Sequence, residues 1–204
     1  SAASDVYKRQ ALDGLSKAEI ELMAPKEDDY VLVSRLNDGT FAKFGKSFIL
    51  ERMQTCISEL EEQGASLIML FCAGTFPDTF TSKVPLIYPA KILNGLAKAL
   101  SRNANIIVIT PDEEQVQQAY DQWGPIMKKV TPIPANPYKG LDEVRKAAEL
   151  AKDIEADLIV MDCIGYTREA RKIVATVSEK PVLLCRTTMA RVVREMIDGK
   201  LSDE

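Results

Sequence analysis

The chain has 204 residues, 46% of them apolar and 27% charged, which is the composition of an ordinary globular protein able to bury its own core without disulfide or metal staples. Its net charge is −4 with no Lys/Arg cluster, which argues against nucleic acid as a partner, because that affinity comes from cations that displace counterions from phosphates. No apolar run approaches the ~20 residues of a membrane helix and nothing at the N-terminus reads as a signal peptide, so no membrane partner is expected and the location expected is the cytoplasm.

Residues 1–10 carry no apolar periodicity and read as a non-native leader. From Leu12 onward the text is protein-like, and Ser16-Lys17-Ala18-Glu19 is a capping box that opens a short helix closed by Pro25. Tyr30–Val33 and Phe41–Phe44 flank Asn37-Asp38-Gly39-Thr40, the signature of an antiparallel hairpin.

Helix and strand then alternate. A helix is expected over about 47–63, a strand over Leu67–Phe71 buried on both faces, a strand at Leu86–Tyr88, a helix near 90–101 and a strand at Ile106–Ile109. A helix opens at Pro111-Asp112-Glu113, and the Pro-rich stretch Thr131–Tyr138 reads as a crossover loop. Helix 141–155, strand 158–162, helix 167–178, strand 181–184 and helix 187–198 follow, ahead of a polar tail at 199–204. Such alternation defines an α/β protein with parallel sheets and flanking helices. Two halves are expected, 11–110 and 111–198, with an approximate boundary and strands free to swap between them.

The halves repeat. Ala65 to Gly74 matches Ala156 to Gly165 at Ala, Leu, Ile, Cys and Gly with a constant offset of 91 residues. Cys72 and Cys163 thereby occupy equivalent strand ends, the place where open parallel sheets bind ligands. Generic similarity between βα units explains the Leu-Ile matches; it explains the shared Cys-x-Gly less well. Cys56, inside an amphipathic helix, reads as a small core residue, and Cys185 lies at a strand end without the Gly. With no histidine in the chain, triads, His-ligated zinc and His bases are excluded, and acid–base work falls to Cys, Asp/Glu, Lys or Tyr. The four cysteines contain no Cys-x-x-Cys pair, so they are expected as free thiols and no metal site is expected.

Two facing thiols suit proton abstraction on one face of a carbon and return on the other. Backbone N–H groups and hydroxyls at Gly74, Thr75, Gly165, Tyr166 and Thr167 stand ready for a substrate carboxylate. Arg186 is an anion-binding candidate or a solvated charge, and Asp162 orients its loop or caps the next helix. Asn136-Pro137-Tyr138 lines the cleft or is simply a turn. Trp123 reads as core edge and Lys128-Lys129 as a solvated face. Gly74 and Gly165 sit in no Gly-rich loop, so no nucleotide is expected.

The runs Leu12-Asp13-Gly14-Leu15-Ser16, Val31–Asp38, Leu70–Pro77, Met161–Thr167, Pro181–Leu184 and Ala190-Arg191-Val192 resemble the AroM protein family. That family is in turn similar to the aspartate/glutamate/hydantoin racemase superfamily. The resemblance implies two pseudo-symmetric α/β halves and Cys72 and Cys163 as an acid–base pair, with Gly74, Thr75 and Thr167 around the carboxylate of a small substrate and no cofactor. Two departures accompany it. No Gly-Gln-x-Pro-Arg-type loop precedes Leu12, so the first strand of the fold is expected to be missing and a bare sheet edge to favour a homo-oligomer. Ala73-Gly74-Thr75 also stand where the racemases carry Asn-Thr. The implied activity is a racemase, epimerase or isomerase; a binding or regulatory protein on the same fold and a one-thiol lyase or decarboxylase are the alternatives.

Overall fold

The computed structural model describes residues 6–100 and 103–198. Part of the expected leader, the last residue of the expected 90–101 helix and the tail at 199–204 lie outside the described residues. The described residues form two compact units, one of residues 6–70 with 76–88 and one of 71–75 with the described residues from 89 onward.

In the first unit, α1 (Lys17–Glu21) begins with the full capping box, Ser16 Oγ accepting from Glu19 N–H while the Glu19 carboxylate accepts from Ser16 N–H at 2.7 Å. The strands β1 (Val31–Arg35) and β2 (Phe41–Gly45) pair antiparallel. Their turn is built from its sequence: Asp38 Oδ1 accepts from Thr40 N–H at 2.9 Å, and Gly39 takes φ 86°, a left-handed conformation that glycine adopts freely. A 3-10 turn leads into α2 (Leu50–Glu62), which contains Cys56. The strands β3 (Ile68–Met69) and β4 (Leu86–Ile87) then pair in parallel. Leading residues of the chain are tied to this unit, Arg9 to Glu59 at 3.0 Å and Gln10 Nε2 to Arg35 O at 3.1 Å.

The expected five-residue buried strand at 67–71 is shorter and less covered. Only Ile68 and Met69 pair, and Phe71 is 68% exposed. With one parallel neighbour, the run leaves the strand as soon as the β4 ladder ends.

The second unit holds a four-stranded parallel sheet, with α3 (Pro89–Lys98) entering it, then β5 (Asn105–Thr110), α4 (Val116–Trp123), β6 (Lys129–Pro134), α5 (Leu141–Lys152), β7 (Leu158–Met161), α6 (Arg168–Ser178), β8 (Val182–Leu184) and α7 (Cys185–Asp198). The strand order is β6-β5-β7-β8. Both faces of β5 are covered, Ile106 at 1% exposure and Ile107, Val108 and Ile109 at 0%, which is why its sequence is a continuous apolar run. On one face Ile107, Ile109, Ile159 and Met161 pack with Val144, Ala148 and Val174 of α5 and α6.

The Pro-rich stretch is a correction: residues 129–134 form β6 rather than a loop. Ala135 N–H donates to Thr110 O at 2.8 Å, so by strand alternation the odd positions face β5. Pro132 and Pro134 fall where an N–H would point outward, on the edge of the described sheet, and there proline costs no ladder bond.

Candidate active site

Cys72 lies in the Phe71–Thr75 segment that belongs to the second unit, and Cys163 lies two residues past the end of β7. Both are partly buried free thiols. The repeat seen in sequence is a repeat in geometry. Gly74 N–H donates to Cys72 Sγ at 3.4 Å, and Gly165 N–H donates to Cys163 Sγ at 3.3 Å. The N–H groups expected to be free for a carboxylate are therefore turned onto the sulfurs themselves, where they favour a thiolate.

Burial opposes them. It pushes the Cys72 thiol up to about 11, against the Gly74 N–H and with the Asp162 carboxylate adding to the rise. Burial likewise pushes Cys163 up to about 12; Gly165 N–H pulls it down, Cys72 and Asp162 push it up, and Arg186 pulls it down. Cys185, the first residue of α7, is fully buried and its thiol is raised by burial above either, which makes it an inert neighbour.

Tyr138 completes the group. Burial and the two thiols raise its phenol, which hydrogen-bonds Cys163, and its N–H donates to Asn136 Oδ1 at 2.8 Å. Asn136 Nδ2 is buried without a partner. Tyr138 closes on Cys163 only because residue 165 is glycine. A Cβ there would stand 2.6 Å from Tyr138 Oη and 3.0 Å from Pro137 Cγ. The Asn-Pro-Tyr turn is thus built against the second Cys-x-Gly.

The other candidates divide. Arg186 donates from Nε to Ile164 O at 2.8 Å and from Nη2 to Gly165 O at 3.3 Å, clamping the loop that carries Cys163. Thr167 is the N-cap of α6, accepting from Ala170 N–H at 3.1 Å. Tyr166 is fully buried with its hydroxyl donating to Ala135 O at 2.6 Å. Thr75 is exposed, its Oγ1 3.2 Å from Gln122 Oε1. Asp162 caps no helix; Oδ2 accepts from the Trp123 indole N–H at 2.9 Å, and Trp123, expected at the core edge, is at 0% exposure. Among the described residues no three His, Cys, Asp or Glu side chains converge as metal ligands, and no helix is long and apolar enough to cross a membrane.

A parallel sheet flanked by helices is the fold this chain shares with racemase-fold proteins. The structure of an arylmalonate decarboxylase superposes with a TM-score of 0.51 at 20% identity, over 70% of this chain and 72% of that one. Glutamate racemase from Francisella tularensis subsp. tularensis SCHU S4, in complex with D-glutamate, superposes with a TM-score of 0.55 at 14% identity, over 81% of this chain and 68% of that one. The chain matches the AroM protein family over residues 1–197 and belongs to it. Among curated proteins none matches the sequence.

Proposed function

We propose that this AroM protein is a cofactor-independent, two-thiol racemase, epimerase or isomerase of a small carboxylated molecule. The observation that carries the reading is the duplicated turn, in which Cys72 and Cys163 each hold a Gly N–H on the sulfur.

In the proposed reaction one thiolate takes the proton from the carbon beside the carboxylate, the C–H electron pair passes into the enolate, and the other thiol gives its proton to the opposite face. The thiolate of so weakly acidic a thiol is scarce but strongly basic, which suits a weakly acidic C–H. The Gly74 and Gly165 N–H groups, the Tyr138 phenol and the Arg186 charge are the features here that favour the thiolate. Arg186 and the hydroxyls of Thr75 and Thr167 are the groups we assign to the carboxylate. Free thiols at all four cysteines suit a reducing compartment, and we place the protein in the cytoplasm on that ground.

The test is loss of α-proton NMR signal in D2O across a panel of chiral carboxylic acids, with wild type, C72S and C163S. Exchange lost in both variants supports the two-thiol reaction. Exchange surviving C72S but not C163S moves the assignment to a one-thiol proton donor, as Tyr138 and Arg186 act on Cys163. An acid that shields both thiols from alkylation without exchanging its proton identifies a binding protein instead.

A further inference from the structure

Most hydrogen-bond donors around the two cysteine turns are committed within the protein. The Gly74 and Gly165 N–H groups lie on the sulfurs, and Arg186 gives Nε and Nη2 to the Ile164 and Gly165 carbonyls. The Tyr166 hydroxyl donates to Ala135 O, and Thr75 Oγ1 meets Gln122 Oε1, an oxygen that only accepts. Asn136 differs from all of these. Its Nδ2 carries two N–H bonds, is shielded from solvent and has no partner, and among the described residues it is the one buried side-chain nitrogen in that condition.

Contacts on both sides fix where this residue sits. Ala135, before it, receives the Tyr166 hydroxyl at 2.6 Å. Pro137 and Tyr138, after it, stand 3.0 and 2.6 Å from the place a Gly165 Cβ would take. Residue 136 is therefore held along the Cys163 loop, just past the carboxyl end of β6, with 5% of its surface exposed. The carboxamide cannot turn over, because Tyr138 N–H donates to its Oδ1 at 2.8 Å and would otherwise face another donor. The turn needs the oxygen only, and an aspartate would serve it equally well. A buried amide donor with no acceptor is unfavourable and uncommon in native proteins, and nothing in the turn accounts for the nitrogen.

We propose that Asn136 is a binding residue of the site, its Nδ2 donating to a carboxylate oxygen of the bound molecule. The inference rests on the reading that a small carboxylated molecule binds beside Cys163. An amide NH2 group accepts nothing, so its partner is an acceptor, and an anionic oxygen makes the strongest such bond. Thr75 gives up its bond to Gln122 in order to reach a carboxylate, and Arg186 is already held on two carbonyls; Asn136 breaks no bond.

The experiment uses iodoacetate and its neutral counterpart iodoacetamide, which alkylate cysteine by the same displacement of iodide and differ in the group that Asn136 would bind. The full chain is treated with each at one alkaline pH, and the rate at Cys163 is followed by mass spectrometry beside free N-acetylcysteinamide as the reference thiol. In wild type the iodoacetate-to-iodoacetamide ratio at Cys163 should exceed that of the free thiol about tenfold, the worth of one hydrogen bond to a charged oxygen. N136A, which removes the donor, and N136D, which keeps the acceptor that the turn needs, should both bring the ratio down to the free-thiol value, and N136D should leave the iodoacetamide rate nearly unchanged. A wild-type ratio equal to that of the free thiol overturns the proposal, and so does a variant that alters both rates equally, which marks a residue of the turn alone. Where neither variant folds, or Cys163 reacts with neither reagent, the Asn136 amide pair in 15N spectra of the wild type decides: it should shift saturably with sodium acetate and stay still with acetamide, and an amide blind to acetate overturns the proposal. None of these results touches proton exchange, which C72S and C163S decide. Carboxylate binding through Asn136 without exchange leaves a binding protein, and exchange with an indifferent Asn136 leaves the two-thiol reaction standing.

Discussion

Gly165 sets the distance of Tyr138 from Cys163: a single β-carbon at that position would lie 2.6 Å from the phenol oxygen and 2.9 Å from its ring carbon Cζ. A tyrosine ring yields only by turning away as a body, and Pro137 Cγ at 3.0 Å blocks the other side. G165A is therefore expected to lower the melting temperature and to take the phenol off the sulfur. Y138F should reproduce the functional loss without most of the destabilisation. A hydrogen bond to a charged sulfur is worth about 1.5–3 kcal/mol, so exchange of the substrate proton should slow by about ten- to a hundredfold in either variant. Thermal melts beside exchange rates separate the two effects, and an unchanged rate in Y138F would remove the phenol from the mechanism.

Thr167 has two roles that one pair of variants pulls apart. As N-cap it satisfies Ala170 N–H, and T167A should cost about 1 kcal/mol in a denaturant melt. T167D keeps a good cap and should leave stability near wild type. If the hydroxyl also holds the substrate carboxylate, the new charge should repel it and raise KM at least tenfold. A T167D variant with normal KM would confine Thr167 to the helix.

Asp162 makes stability depend on pH in a direction opposite to most acids. Its carboxyl is raised by burial from the ordinary 3.8 to about 6, with the Trp123 bond partly offsetting the rise, so the folded chain holds a proton that the unfolded chain releases. Stability is then fullest below about pH 4 as far as this group is concerned, falls as pH rises toward 6, and is level above it. D162N should abolish that slope and be more stable than wild type at pH 7 by about 2–3 kcal/mol. Urea midpoints at pH 4, 5, 6 and 7 check it; a variant less stable at pH 7 than wild type would show that the charge is compensated.

The prolines of β6 predict behaviour at the sheet edge. Replacing Pro132 and Pro134 by valine supplies two outward N–H groups to a strand that otherwise offers none at those positions, and raises its β propensity. Self-association of the double variant should increase relative to wild type at equal concentration, as read by sedimentation velocity. An unchanged distribution would mean that the edge is already covered.

Much of the fold was legible because its central strands are buried on both faces. Ile106–Ile109 and Leu158–Met161 read as strands from apolar continuity alone, and the hairpin read from Asp38-Gly39. What escaped was β6, since prolines speak against a strand until their parity on an edge is known, and the true length of β3, since Phe71 continues an apolar run that the ladder does not. At the site, Cys72 and Cys163 were legible through their shared Cys-x-Gly. Tyr138 was visible only as a turn residue, although a glycine two places after Cys163 was a sign that something approaches closely. The Trp123–Asp162 bond spans 39 residues and leaves no trace in local pattern, so neither its core position nor the acid's partner was readable.

The five residues Phe71–Thr75 pack with the second unit although the chain on either side of them belongs to the first. The polypeptide thus lends one short stretch across a boundary and takes the backbone back again before Phe76. A fragment starting at Pro89 would carry the four-stranded sheet, Tyr138 and Cys163 yet arrive without Cys72, and a single cut early enough to supply it also brings residues 76–88 of the first unit. Dissection of this protein into independently made parts would have to deliver that loop as a separate peptide, and recovery of activity on adding it would be a direct assay of what the loan contributes.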